Sequence, residues 1–541
     1  MVWLVLAPVI LGVAIYKLPP VAARTLALAG QAVLGFLAVG AWLHAGYEPT
    51  FEVLGGDDAL LYVTLRTDSI SLTLVTLTLL LFAAAVVYVL RASYADNKLL
   101  LLLLVLQGLS SGIFIADDVF TLFVLFEVAS LVAVLTVMYR KNRRNTYDGL
   151  YYLVVQLVAM MFFLFGVAYL YRSFGVLSVT QITEVIAAGV DGRVLVLPFA
   201  LMLTGVGLKA GLFPLFSYVP HSYGNPGAPS PMLWIMSCVL VKGALFWVYR
   251  LLDMFAPAFD ARIFLAVVGI ITGLLGAAIA LAQEDIRLVL AFSTVSQSGL
   301  IVLGFAAGST TATAGALLHL VTHALAKAVL FLIAARMIRW YGTARLGEIR
   351  GVGRRMPFVA TLAALAMLNM VGAPFTGGAV SKDMMLLGAT GWIEAAMWAV
   401  NIGTILVMVR LGLVMFGTSD APTRFAAWRR LPDRFAIGVI FTAVSATIAI
   451  FATDAVDLIT GYYLEIQFWP GAVKVATFIA MLTGALLAHS LAAYRVSANA
   501  LERLRGPLNI ALSLPQAALM LTVFFASALI FATTITRGGG T

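Results

Sequence analysis

Apolar runs long enough to cross a bilayer recur along the whole chain, each separated from the next by a short polar stretch. About 20 predominantly apolar residues span the hydrocarbon core as a helix. Sixteen runs read as such spans, the first at 3–19 and 21–45 and the last at 470–494 and 511–536. A backbone in lipid must satisfy its own polar groups, which a helix does within one segment. The pattern therefore predicts an all-α polytopic membrane protein with 14–16 transmembrane helices. The longest polar interruptions, 46–67 and 173–193, are too short for a catalytic domain with its own core. Met1–Tyr16 lacks a basic leader and a clear small-residue cleavage site, so it reads as the first span and not as a cleavable signal.

Two of the runs contain helix breakers beside a lysine. Lys209 is followed by Gly211 and Pro214, and Pro374 and Gly377 precede Lys382. A lysine at membrane depth costs about 2.5–3.5 kcal/mol on insertion scales. Proline frees backbone carbonyls, which is tolerated only where they line a cavity or are buried in protein. Two broken helices, each with a lysine, point to a path for protons or ions.

Composition narrows the class further. Of 541 residues, 62% are hydrophobic and 11% charged, far from the near 25% charged of soluble domains. The net charge of +9 does not point to nucleic acid, because the basic residues cluster in short loops. Arg140, Arg143 and Arg144 form one cluster, and Arg345, Arg350, Arg354 and Arg355 a second. Arg424, Arg429, Arg430 and Arg434 form a third, and Arg495, Arg503 and Arg505 a fourth. The opposite loops carry acids such as Glu48, Glu52, Asp57, Asp58, Asp454, Asp457 and Glu465. The positive-inside rule then places the basic loops in the cytoplasm and both termini on the outer face. The single Cys238 excludes an internal disulfide or a multi-cysteine metal site. No P-loop, dinucleotide fingerprint or CxxC motif is present. No catalytic or redox centre, cofactor or metal is therefore expected on this chain, and any enzymatic role would belong to a larger assembly.

Further charges lie inside the spans. Glu127 sits near the centre of the fifth run and Lys242 in the eighth, while His319, His323 and Lys327 follow at i, i+4, i+8 on one helix face. Intramembrane charges normally face a bundle interior, where they pair or line a hydrated path. The alternatives are structural ion pairs and, for His319 and His323, metal ligation at i, i+4. No carboxylate or cysteine shares that histidine face, and structural glue would not require the breaks beside Lys209 and Lys382. The chemistry suits proton handling: burial disfavours a lysine's charged form, a nearby carboxylate favours it, and histidine titrates near neutrality. Asp117 and Asp118 at a tight hairpin, and Glu284, Asp285 and Arg287 at a short turn, read as ordinary interfacial residues.

Taken together, five stretches resemble the antiporter-like membrane subunits shared by Mrp-type cation/proton antiporters, membrane-bound hydrogenases and respiratory complex I. They are Phe126-Glu127, Gly207-Leu208-Lys209 through Pro214, Gln283 through Gly299, His319 through Lys327, and Gly377 through Asp383. The resemblance covers roughly residues 65–420. It implies two inverted five-helix repeats, 96–255 and 256–417, each with one broken helix, after three N-terminal helices in 1–95 and before further helices in 418–541. It also implies that Glu127 and Lys209 form a coupling ion pair and that Lys242 passes the proton laterally. His319, His323 and Lys327 would continue the polar axis, and Lys382 would be the terminal station. The second break departs from the family's pattern: Ala373-Pro374 stands where a double proline is common.

The function expected is proton translocation within a multisubunit complex of a prokaryotic plasma membrane. The D-type subunit of an Mrp sodium/proton antiporter is the leading choice, and the pump subunit of a redox-driven complex is the alternative. Implied partners are homologous antiporter-like subunits, small hydrophobic subunits and lipid, with protons and sodium as the ions. A non-conducting scaffold and a stand-alone solute carrier are the competing classes. A scaffold would be free to replace buried charges with packed apolar residues at little loss, and a carrier would need a substrate pocket with specific polar contacts.

Overall fold

The computed structural model describes residues 1–45, 48–55, 63–90, 92, 96–140, 142–418, 433–464, 472–490 and 513–538. Among the described residues the regular structure is helical apart from one antiparallel hairpin, β1 (Thr50–Leu54) with β2 (Val63–Thr67), inside the stretch read from sequence only as a polar interruption. The opening helices are α1 (Trp3–Tyr16), α2 (Pro20–Ala45), α3 (Ser69–Leu90), α4 (Asn97–Ile115), α5 (Val119–Val137) and α6 (Arg143–Phe174). There follow α7 (Val179–Ala187), α8 (Gly192–Ala210), α9 (Val219–Tyr223), α10 (Ser230–Ile235) and α11 (Val241–Phe255). Next come α12 (Arg262–Ala282), α13 (Ile286–Ala306), α14 (Thr310–Tyr341), α15 (Val352–Arg355), α16 (Pro357–Val371) and α17 (Gly377–Leu387). The last are α18 (Gly391–Gly412), α19 (Asp433–Ile450), α20 (Ala452–Thr460), α21 (Ala472–Ser490) and α22 (Leu514–Gly538).

Among the described residues, 12 helices are long and apolar enough to cross a membrane, or 13 with the bent α19–α20 pair counted as one. Three shorter apolar helices, Trp3–Tyr16, Pro357–Val371 and Lys474–Leu487, occupy the remaining predicted runs. The fold class expected from the apolar pattern is therefore the one observed. The basic clusters at 424–430 and 495–505 and the acids Asp57, Asp58 and Glu465 lie outside the described residues, as does the side chain of Arg434.

Two compact units divide the chain. The first comprises Met1–Tyr218, Asn225–Phe264 and Ser513–Thr541; the second comprises Val219–Gly224 and Leu265–Leu512. The C-terminal helix α22 thus belongs to the first unit. Phe524 and Phe531 meet Phe264 with ring centroids 5.9 and 5.3 Å apart, and Phe525 meets Phe162 at 5.5 Å. Such tilted and edge-on contacts suit aromatic quadrupoles, and they supply the packing that association in lipid relies on.

Asp118 caps α5 by accepting from the Thr121 N–H at 2.5 Å, and Asp285 caps α13 while pairing with Arg287 at 2.6 Å. Asp117 is buried and accepts from Ser178 Oγ at 2.8 Å and Thr180 Oγ1 at 3.0 Å. Burial pushes its carboxyl above the usual range, and those two hydroxyls offset part of the rise. At Asp68 burial also opposes ionisation, but Arg250, Ser71 and Arg66 outweigh it and hold the carboxyl below its ordinary value.

Candidate functional site

In the first unit the site is built on α5, α6, α8 and α11. Helix α8 ends at Gly211, whose φ of +69° places it in the left-handed region that glycine enters without strain. The Leu212 N–H returns to Gly207 O at 3.0 Å and the Gly211 N–H to Leu208 O at 2.9 Å, closing the helix end. The break predicted at Gly211 and Pro214 is thus present. It leaves Lys209 in the last turn of α8, where the aligned peptide dipoles favour a cation. Tyr218 Oη donates to the Lys209 carbonyl at 3.1 Å and so satisfies one group released by the break.

Lys209 Nζ donates to Ser130 Oγ at 2.8 Å and to Gln156 Oε1 at 3.1 Å, and lies 5.3 Å from the Phe126 ring centroid. Its acceptors are neutral. Glu127 stands one helical turn before Ser130, on the same stripe of α5. It is 9% exposed, and its Oε1 is buried with no hydrogen-bond partner. The two charges are close enough to interact, but they do not touch. The lysine rests on a hydroxyl and an amide, with the carboxylate nearby.

Lys242 opens α11 directly after a turn of π-helix at Met236–Leu240. A π turn inserts one extra residue per turn and re-aims the side chains beyond it. Lys242 is fully buried, with no hydrogen-bond partner for Nζ. Nothing in the local composition signals this π turn.

The second unit holds the remaining residues. On α14, His319 Nδ1 lies 2.8 Å from Ser381 Oγ, and Nε2 lies 3.0 Å from Gln297 Oε1. Gln297 donates its amide N–H to Thr404 Oγ1 at 2.7 Å, which turns its oxygen toward the histidine. A carbonyl oxygen only accepts, so the proton of neutral His319 sits on Nε2 and Nδ1 is free to accept from Ser381. The His319 and His323 rings are 5.8 Å apart between centroids. Lys327 Nζ donates to Leu290 O at 2.8 Å and to Ser293 Oγ. No group of three or more potential metal ligands occurs among the described residues.

Helix α16 stops at Gly372, with φ +78°, and α17 restarts at Gly377. In an unbroken helix the Met370 carbonyl would accept from residue 374, but proline has no N–H. Lys382 Nζ takes that carbonyl at 2.6 Å and adds Asn401 Oδ1 at 2.7 Å. The break thus makes the lysine's acceptor. It is braced by Asn369, a residue that sequence reasoning missed. Asn369 Oδ1 accepts from the Gly378 N–H at 2.7 Å and Ser445 Oγ at 3.0 Å, and its Nδ2 donates to Thr322 O at 3.1 Å. Asn369→Ala should destabilise the protein by about 1–3 kcal/mol, because buried groups lose their partners. A melting temperature of the detergent-solubilised protein equal to wild type would refute that role.

Every predicted station is buried, and each helix break lies beside its lysine. The neutral residues that touch the stations, Ser130, Gln156, Ser293, Gln297, Ser381 and Asn401, were given no role beforehand, although Ser293, Gln297 and Ser381 lie within the stretches that carry the resemblance. Their one signal was their presence as hydrogen-bonding side chains in apolar runs, which costs free energy unless they are paired.

Comparison of the sequence with known proteins returns one family. The family described as NADH:quinone oxidoreductase/Mrp antiporter, transmembrane, matches residues 116–409. The chain is 34% identical over 312 residues to NADH-quinone oxidoreductase subunit N of Desulforudis audaxviator, covering 56% of this chain and 60% of that one. It is 28% identical over 313 residues to the D-type subunit of the Na(+)/H(+) antiporter of Alkalihalophilus pseudofirmus, covering 57% and 63%. The matches thus span less than two thirds of these curated relatives' length. Among solved structures, the Mrp complex from Dietzia superposes with a TM-score of 0.81 at 19% identity, covering 98% of this chain and 59% of that one. Respiratory complex I from Thermus thermophilus superposes with a TM-score of 0.73 at 22% identity, covering 85% and 98%. These likenesses establish a shared fold.

Proposed function

Because this chain belongs to the NADH:quinone oxidoreductase/Mrp antiporter transmembrane family, we propose that it is a proton-translocating subunit of a multisubunit complex in a prokaryotic plasma membrane. The single observation that carries the proposal is how the buried amines at the two breaks are held. Lys209 and Lys382 donate to hydroxyl, amide and carbonyl oxygens, and neither donates to a carboxylate among the described residues. A neutral oxygen accepts from an ammonium or an amine alike, so a proton can leave without dismantling the network. A contact salt bridge would lock the charge in place.

The roles follow from position. Glu127 biases Lys209 toward its protonated state when it swings into contact and releases it when it swings away. Lys242, without a hydrogen bond of its own, takes up and passes on a proton, and His319 relays through Ser381 and Gln297. Lys382 exchanges protons with one side of the membrane. The breaks after Lys209 and before Lys382 correspond to each other in two inverted repeats. The basic loops Arg140–Arg144 and Arg345–Arg355 face the cytoplasm. Sodium/proton antiport in an Mrp-type assembly remains the leading form of the function, supported by the D-type antiporter relative. Redox-driven pumping is the second form, supported by the quinone oxidoreductase relative.

Mass spectrometry of the particle purified in mild detergent tests the choice of assembly. Small hydrophobic membrane subunits alone are the expected companions. Iron–sulfur or nickel–iron subunits in the same particle would overturn the Mrp-type assignment in favour of a redox pump, and recovery of the chain alone would sink the multisubunit proposal.

A further inference from the structure

Helix α11 carries two buried cations. Lys242 stands at its head, and Arg250, 8% exposed, follows two turns later on the same side of the helix, with Phe246 between them. The Arg250 guanidinium lies 5.0 Å from the Phe246 ring centroid. It donates through Nη2 to Asp68 Oδ2 and, at 3.4 Å, to Ser71 Oγ. Asp68 divides its oxygens between two tasks. Oδ1 caps α3, accepting from the Ser71 N–H at 3.0 Å and from Ser71 Oγ at 2.7 Å. Oδ2 faces Arg250 and, at 3.4 Å, Arg66 of β2.

We propose that the Asp68–Arg250 ion pair is a register clamp, which holds α11 in the one-residue offset created by the preceding π turn and thereby aims Lys242. Asp68 and Arg250 are positioning residues for that lysine. The proposal rests on the reading of Lys242 as a proton station and specifies what fixes its place.

The π turn creates the need. The Val241 N–H reaches back to Met236 O, where an α-helix would use the carbonyl of Ser237. Absorbing the extra residue into regular α-helix would rotate everything beyond it by about 100° and move it about 1.5 Å along the axis. That slip would carry Lys242 off its present face. Lys242 gives no resistance of its own, since its Nζ makes no hydrogen bond.

The hold comes from farther along the helix. Trp247 Nε1 donates to Ile113 O at 2.7 Å, a single neutral bond to the end of α4. Arg250 adds a charge-assisted bond, a kind roughly twice as strong. Each half of the ion pair is also seated separately, the carboxylate by its cap on α3 and the guanidinium by its stack on Phe246. A guanidinium is not deprotonated in proteins, so this cation fixes α11 without joining the proton traffic of the lysine beside it. For stability alone, packed apolar residues would serve as well as a buried ion pair; direction is what the pair adds.

Peptide mass spectrometry of Cys238 reads the register independently of transport. This cysteine, the only one of the chain, lies inside the π turn and is 1% exposed. Membrane-permeant N-ethylmaleimide should therefore leave it largely unmodified in the assembled wild-type complex. Asp68→Asn removes the charge and keeps the cap, because asparagine caps a helix as well as aspartate. Arg250→Met removes the other partner and leaves Asp68 with Arg66. Each substitution should raise alkylation of Cys238 several-fold and lower proton uptake by reconstituted vesicles several-fold. Arg250→Lys returns a cation to Asp68 and should recover most of both.

Cys238 alkylated no faster in Asp68→Asn and Arg250→Met than in wild type would overturn the clamp, whatever happens to transport. Damage in Arg250→Lys equal to that in Arg250→Met would trace the hold to packing on Phe246 and overturn the ion pair. Should Arg250→Met fail to assemble, the nearly isosteric Asp68→Asn decides alone. A reactive Cys238 in Asp68→Asn together with wild-type transport by Lys242→Met would sink the station reading and leave the clamp standing. An inactive Lys242→Met with Cys238 still protected in Asp68→Asn would do the opposite.

Discussion

Replacing Lys209 with alanine should reduce proton uptake by reconstituted vesicles to background while the chain still assembles in the membrane. The substitution removes the only amine at the end of α8 and leaves Ser130 Oγ and Gln156 Oε1 without their donor. Those losses cost about 1–3 kcal/mol of stability, well below what unfolds a bundle of this size. The transport loss should be much larger, because the station itself is gone. Glu127→Ala should have the same effect for a different reason. Glu127 makes no hydrogen bond through Oε1, so its removal breaks no hydrogen bond at that atom; a transport defect in an assembled chain would then report the loss of the carboxylate. Dye-based proton uptake at wild-type rates in both variants would eliminate the pair as a coupling element. If Glu127→Ala alone were fully active, Lys209 would be working with Ser130 and Gln156 only.

The second large effect concerns Lys382. Lys382→Ala should be as damaging as Lys209→Ala, since the Met370 carbonyl freed by Pro374 would lose its donor and the terminal exchange site would vanish. Lys382→Glu should keep measurable transport, slower than wild type by about tenfold. Asn401 can rotate its amide and donate to a carboxylate, but the Met370 carbonyl can only accept. One charge-assisted hydrogen bond is therefore lost, worth about 1.5 kcal/mol or more, and 1.4 kcal/mol is a factor of ten. Activity in the glutamate variant together with silence in the alanine variant would show that the position needs a titratable group and not specifically an ammonium. Wild-type rates in Lys382→Ala would remove this lysine from the path.

These outcomes also separate proton translocation from the competing classes. A scaffold should tolerate Lys242→Met with no functional change, because replacing a buried amine with an apolar chain of similar length is neutral or stabilising when no conduction is required. A solute carrier should show its polar groups converging on one substrate pocket. Here Lys209, Lys327 and Lys382 instead each have their own neutral acceptors on neighbouring helices: Ser130 and Gln156, Leu290 and Ser293, Met370 and Asn401.

The amino-acid sequence by itself determined the membrane class, the spans, the two breaks and the buried charges. The physical reason is that lipid imposes local rules. A span must be apolar over its whole length, its backbone must be satisfied within itself, and a charge or proline inside it stands out against that background. Lys209 with Gly211 and Pro214, and Lys382 with Pro374 and Gly377, are visible for that reason. What each station touches was decided only in three dimensions. Ser130 and Gln156 lie 79 and 53 residues from Lys209, and Asn401 lies 19 from Lys382. No periodicity encodes such pairings, since they depend on how helices rotate about their axes and which faces meet. The same holds for the π turn before Lys242, the bend between α19 and α20, and the Asp383–Lys474 pair across 91 residues. The family resemblance implies a coupling ion pair between Glu127 and Lys209; only the tertiary structure shows that the lysine's hydrogen bonds go to Ser130, one turn along α5, and to Gln156.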